Sequence, residues 1–121
     1  MKFLWTTISV KSMEESLAFY QDIVGLSISR RFPTGSNGEI VFLGGGETKV
    51  ELIYDGSGKD VVIGADISLG FEVDCLEEKM DFIKEKGLKV DSGPFQPNPG
   101  VKFFFVRDPN GLRIQFVENI V

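Results

Sequence analysis

The sequence predicts an α+β fold made of two βαβββ modules, with the helices packed on one side of a mixed sheet. Two observations predict it. The stretch "VKSMEESLAFYQDIVGLSI" from Val10 returns in altered form as "VDCLEEKMDFIKEKGLKV" from Val73. Each copy is preceded by one alternating, strand-like segment and followed by an extended piece, a turn and a last strand. The 121 residues form a single domain with enough chain to bury a core. Its repeats span 1–55 and 65–121, joined by a glycine- and charge-rich linker over 56–64.

The first strand, "FLWTTISV", sets Leu4, Ile8 and Val10 against Trp5, Thr7 and Ser9. A helix over 13–24 follows, with Met13, Leu17, Tyr20 and Val24 on one stripe. Ser12 is its expected N-cap, Glu14 and Glu15 lie at the positive end of its dipole, and Gly25 stops it. In "EIVFLGGGETKVELIYD" the glycines make a hairpin turn. They are not a phosphate loop, because the Lys-Ser/Thr ending and the following helix are missing. On the strand after that turn, Val50, Leu52 and Tyr54 oppose Lys49, Glu51 and Ile53.

The second module begins with Ile67, Leu69, Phe71 and Val73 opposing Ser68, Gly70 and Glu72. Its helix, 76–86, carries Leu76, Met80 and Ile83 on one stripe, with Asp74 as candidate cap and Gly87 as stop. "GPFQPNPG" reads as a proline-rich loop, either a stiff surface loop or a lid. In "KFFFVRD", Phe103 and Phe105 oppose Phe104 and Val106; one pair belongs to the core, leaving the other for a pocket. After the Asp108-Pro109-Asn110-Gly111 turn, Ile114 and Phe116 oppose Arg113, Gln115 and Val117.

The apolar faces must cover the helices. The opposite faces carry Trp5, Thr7, Glu51, Ser68, Glu72, Arg113 and Gln115, which is the composition of a small-molecule site or of a solvated face. Superposing the modules matches Trp5 with Ser68 and Glu51 with Gln115. Composition narrows the partners. Net charge is −5 with no basic cluster, which argues against nucleic acid. No apolar run approaches the ~20 residues of a membrane span. A start without a signal peptide's apolar core, together with a lone cysteine, fits the cytoplasm. That cysteine, Cys75, reads as a small apolar residue at the start of the second helix, with a reactive thiol as the alternative. Histidine is absent, so any transition-metal site would lack its commonest ligand.

The duplicated unit, with "SLAFYQDIVGL" early and "VRDPNGLRIQFVE" late, resembles the vicinal-oxygen-chelate superfamily over nearly the whole chain. That group includes glyoxalase I, bleomycin-resistance proteins, fosfomycin-resistance thiol transferases and extradiol dioxygenases. The resemblance implies a curved mixed sheet with helices on its convex face, a ligand in the cup of the sheet, and pairing as a homodimer. It also implies a metal site in some members, with ligands from the first and last strand of each module. On this chain those four positions are Trp5, Glu51, Ser68 and Gln115. Only Glu51 is a usual ligand; Gln115 has one neutral oxygen and Trp5 only an N–H donor.

The expectation is therefore a small-molecule-binding protein of glyoxalase/bleomycin-resistance type with no metal and no cofactor. Its ligand contacts would be Trp5, Glu51, Ser68, Arg113, Gln115 and Phe105. Arg113 would bind an anionic group or pair with Glu51, and Gln115 would be Glu51's neutral neighbour. The alternative is a glyoxalase-like isomerase or lyase with Glu51 as catalytic base or with a degraded metal site; loss of three strong ligands counts against an enzyme. A third reading is a vestigial pocket on a protein that acts through its dimer surface.

Overall fold

A computed structural model describes residues 1–120. The chain divides into two compact units, Met1–Val62 and Ile63–Val121. In the first unit, β1 (Trp5–Ser9) leads to α1 (Met13–Ala18), a π-helical stretch (Phe19–Val24), then β2 (Ile28–Thr34), β3 (Gly38–Leu43) and β4 (Lys49–Tyr54). In the second, β5 (Ser68–Glu72) leads to α2 (Leu76–Glu85), β6 (Ser92–Asn98), β7 (Val101–Arg107) and β8 (Arg113–Asn119). Each unit is a βαβββ module with its own four-stranded mixed sheet, and the strand orders match: β1-β4-β3-β2 and β5-β8-β7-β6. In each, the first strand runs parallel to the last, and the other neighbours are antiparallel.

Period two decides the core. Val50 and Leu52 are buried in the first unit, as are Phe104, Val106, Ile114 and Phe116 in the second. That assigns Phe104 and Val106 to the core and leaves Phe103 and Phe105 for the opposite face. Leu4 and Ile67, expected in the core, are about half exposed, because each precedes the first paired residue of its strand.

The helix ends follow their local chemistry with one exception. Ser12 caps α1, its hydroxyl accepting the Glu15 N–H at 3.2 Å. Gly25 ends the following π-helical stretch in the left-handed region, φ 91°. The last six residues of the expected first helix take the wider π turn, and under it the sequence neighbours Phe19 and Tyr20 are both buried. Asp74 does not cap α2. Cys75 holds the N-cap position without a side-chain bond. The Leu76 N–H instead donates 2.7 Å to Glu118 Oε1 on β8, a long side chain that reaches the helix start from the sheet.

"GPFQPNPG" is not a free loop. Most of it belongs to β6, the edge strand beside β7, where proline's missing N–H costs no ladder bond on the open side. The Asp108-to-Leu112 turn closes around a buried carboxylate: Asp108 Oδ1 accepts the N–H of Asn110 at 2.8 Å and of Leu112 at 2.9 Å. Gly111 sits at φ 88°, a conformation that disfavours a side chain.

Candidate functional site

The faces turned away from the helices are built row by row from strand register. In the first unit, Thr7 lies opposite Glu51, Glu51 opposite Phe42, and Phe42 opposite Arg30. In the second, Gly70 lies opposite Gln115, Gln115 opposite Phe105, and Phe105 opposite Ser92. Register thus puts Glu51 and Gln115 at equivalent places. Trp5 and Ser68, beside Lys49 and Arg113, form another matched set.

Glu51 is 9% exposed. The Thr7 hydroxyl donates to its Oε1 at 2.5 Å, and that is its only hydrogen-bond partner among the described residues. Trp5, 44% exposed, meets the Phe42 ring edge-on at 5.1 Å. The Arg30 guanidinium lies 5.2 Å from the Phe32 ring and 5.3 Å from Phe42. One row therefore holds a nearly buried carboxylate, with an aromatic wall and a stacked cation beside it.

The second unit answers with different chemistry. Gly70 stands where Thr7 stands in the first. A Cβ there would meet Gln115 Oε1 at 3.2 Å, so the bare backbone makes room for the amide. The Arg113 guanidinium lies 4.0 Å from the Phe105 centroid. Phe95, Phe103 and Phe105 contact one another with centroids 5.6 to 6.5 Å apart. Ser92 Oγ is buried without a partner. At the far end of the face, Glu72 accepts a 2.8 Å bond from the Asn119 amide.

Of the expected contacts, Trp5 and Glu51 share the first unit's face, while Ser68, Arg113, Gln115 and Phe105 share the second's. Arg113 stacks on Phe105. Sequence reasoning took these faces as polar with one aromatic anchor and offered Phe103 with Phe105 as one candidate pocket pair, but missed Arg30, Phe32, Phe42 and Phe95. A signal was present, because Phe42 falls on Phe105 and Phe32 on Phe95 under the repeat that matched Trp5 with Ser68.

This duplicated module with matched faces can be set against known proteins. Residues 2–116 match the family model of the Glyoxalase/Bleomycin resistance protein/Dioxygenase superfamily. The chain belongs to that superfamily. Among its superfamily relatives, the lactoylglutathione lyase of Neisseria meningitidis serogroup A is 32% identical over 98% of this chain and 91% of that protein. The one from Haemophilus influenzae is 31% identical, over 98% and 93%. Among superfamily structures, the trypanothione-dependent glyoxalase I of Leishmania major superposes with a TM-score of 0.83 at 23% identity, over 98% of this chain and 86% of that one. TnmS3, an antibiotic-binding protein from Streptomyces, gives 0.77 at 20%, over 98% and 96%. These structural likenesses concern the fold.

At the four positions that the sequence resemblance matches to the ligands of metal-dependent members, this chain has Trp5, Glu51, Ser68 and Gln115. That set offers one carboxylate, already bonded to Thr7, with an indole, a hydroxyl and an amide. It does not fit a divalent transition metal, which needs several imidazole, thiolate or carboxylate donors. No cluster of three or more such side chains occurs among the described residues. No helix there is long and apolar enough to cross a membrane.

Proposed function

We propose that this superfamily member binds a small molecule against the sheet faces described above and does so without a transition-metal centre. On the first unit's face Trp5 offers ring surface and Glu51 charge; on the second unit's face Ser68, Arg113 and Gln115 offer hydrogen bonds, with Phe105 beneath Arg113. One observation carries the reading: Glu51 is a nearly buried carboxylate whose only bond is to one threonine hydroxyl. A carboxyl group largely shielded from water with a single hydrogen bond contributes little to the fold, which favours a role toward a ligand. Assembly as a homodimer and residence in the cytoplasm belong to this reading, the first checked by light scattering and the second by cell fractionation.

The test is a thermal-shift screen of small molecules with elemental analysis of the untagged protein. A ligand at 100 times its Kd stabilises by about 2.7 kcal/mol, which moves Tm by on the order of 10 °C in a chain of this size. Glu51→Gln should erase the shift and leave the unliganded Tm nearly unchanged. About one nickel, zinc, iron or manganese per chain would overturn the metal-independent reading.

A second reading is favoured by the relatives named lactoylglutathione lyase and by retention of Glu51. On that reading the chain is a lyase or isomerase with Glu51 as general base. Turnover of lactoylglutathione that disappears in Glu51→Gln would establish it; no turnover, with or without added nickel, would dismiss it.

A further inference from the structure

The chain has four arginines, and the fold uses two of them. Arg31 pairs with Glu39 at 2.6 Å, and Arg107 with Asp91 at 3.3 Å. Arg30 and Arg113 do neither. Both lie over phenylalanines of the matched faces, on Phe42 and Phe105, which occupy equivalent places in the two modules. Acids are not scarce in a chain of net charge −5, so the missing partners reflect placement.

Arg113 has the closer stack. A guanidinium held over a ring, with no acceptor bonded to it, keeps its N–H groups free, and that fork matches a carboxylate. Arg113 is partly buried and makes no hydrogen bond or ion pair with any described residue. Across β7 it lies opposite Arg107, whose charge Asp91 already takes, and its other neighbours on the face are neutral. Ser68 lies opposite it, and Gln115 lies two residues along the same strand. A glutamate at 115 would place an anion within reach of Arg113 and occupy it; the amide leaves it free. Beside it stand the rings of Phe95 and Phe103, with Phe95 45% exposed, and the partnerless Ser92 hydroxyl.

We propose that the second unit's face recognises an aromatic carboxylate, the acid group bidentate on Arg113 and the ring against Phe95, Phe103 and Phe105. This rests on the small-molecule reading and names the class of ligand that the second unit's face takes. By contrast, the corresponding row of the first unit carries Glu51, which repels an acid.

The experiment is calorimetric titration with indole-3-acetate and its neutral isostere indole-3-acetamide, on the wild type, Arg113→Gln, Arg113→Lys and Gln115→Glu. A charge-assisted bidentate contact predicts that the acid binds about tenfold or more tighter than the amide. Arg113→Gln should bring the two to parity, weakening the acid far more than the amide. Arg113→Lys should keep part of the preference, since it retains charge without the planar fork. Gln115→Glu should reduce the preference by occupying Arg113. Equal binding of acid and amide to the wild type would overturn the inference and leave ligand binding standing. A preference that survives Arg113→Gln would overturn it too. So would silence from both probes, with ligand binding then judged separately by the Glu51 thermal-shift experiment.

Discussion

Two substitutions that touch the same hydrogen bond should have unequal costs. Thr7 Oγ1 donates to Glu51 Oε1, and Glu51 is 9% exposed. Thr7→Val keeps the shape and the β-branch but deletes the donor, leaving a carboxylate without its partner in a nearly dry place. Stranding a buried polar group costs about 1–3 kcal/mol. Thr7 itself is exposed, so water reaches one side of the bond, and the lower half of that range applies, about 1–2 kcal/mol. Glu51→Gln works the other way. The amide oxygen still accepts from Thr7, the bond loses its charge assistance, and the desolvation of an anion disappears. These effects offset to within about 1 kcal/mol. The double mutant should therefore cost less than the sum of the singles, with a coupling of about 1 kcal/mol. Urea denaturation at neutral pH, followed by far-ultraviolet circular dichroism, measures all three. A harmless Thr7→Val combined with a loss of about 3–5 kcal/mol in Glu51→Gln would refute the reasoning, because that pattern belongs to a carboxylate held in a buried ion pair.

Other outcomes follow from the same geometry. Glu118→Ala should destabilise by about 1 kcal/mol and loosen the first turn of α2, read by denaturation and amide exchange at Leu76, because it removes the side-chain acceptor of the Leu76 N–H. Asp74→Ala, at the position sequence reasoning favoured, should change stability by less than about 0.5 kcal/mol in the same assay. Asp108→Ala should cost about 1–3 kcal/mol, since two backbone N–H groups lose a shared buried acceptor. Gly70→Ala should displace the Gln115 amide while costing little stability, visible as a shift of its side-chain resonances, since the added methyl's one tight contact is with the far end of that side chain and Val117 Cγ2 lies at an ordinary 4.0 Å.

Much of this protein is written locally. The duplication is visible in two stretches, and a strand period of two sorted Val50, Leu52, Ile114 and Phe116 from Glu51 and Gln115 without a partner in view. Ser12, Gly25, Gly87 and the Asp-Pro-Asn-Gly turn act through atoms a few residues away, so their chemistry was legible too. The proline-rich segment was misread because β6 has no alternation of its own; it is a strand only because β7 lies beside it.

What needed the tertiary structure is the identity of partners across long separations. Glu118 caps a helix that starts 42 residues earlier, Thr7 bonds Glu51 across 44, and the rings around Arg113 come from different strands. Backbone geometry alone tells which way each of these side chains points, since alternation is a property of one strand. Which group it then meets depends on inter-strand register, and register is set by turns and by packing on the helices. No local pattern carries that information, so the sequence by itself determined the faces of the sheets, and only the folded chain decided what stands next to what on them.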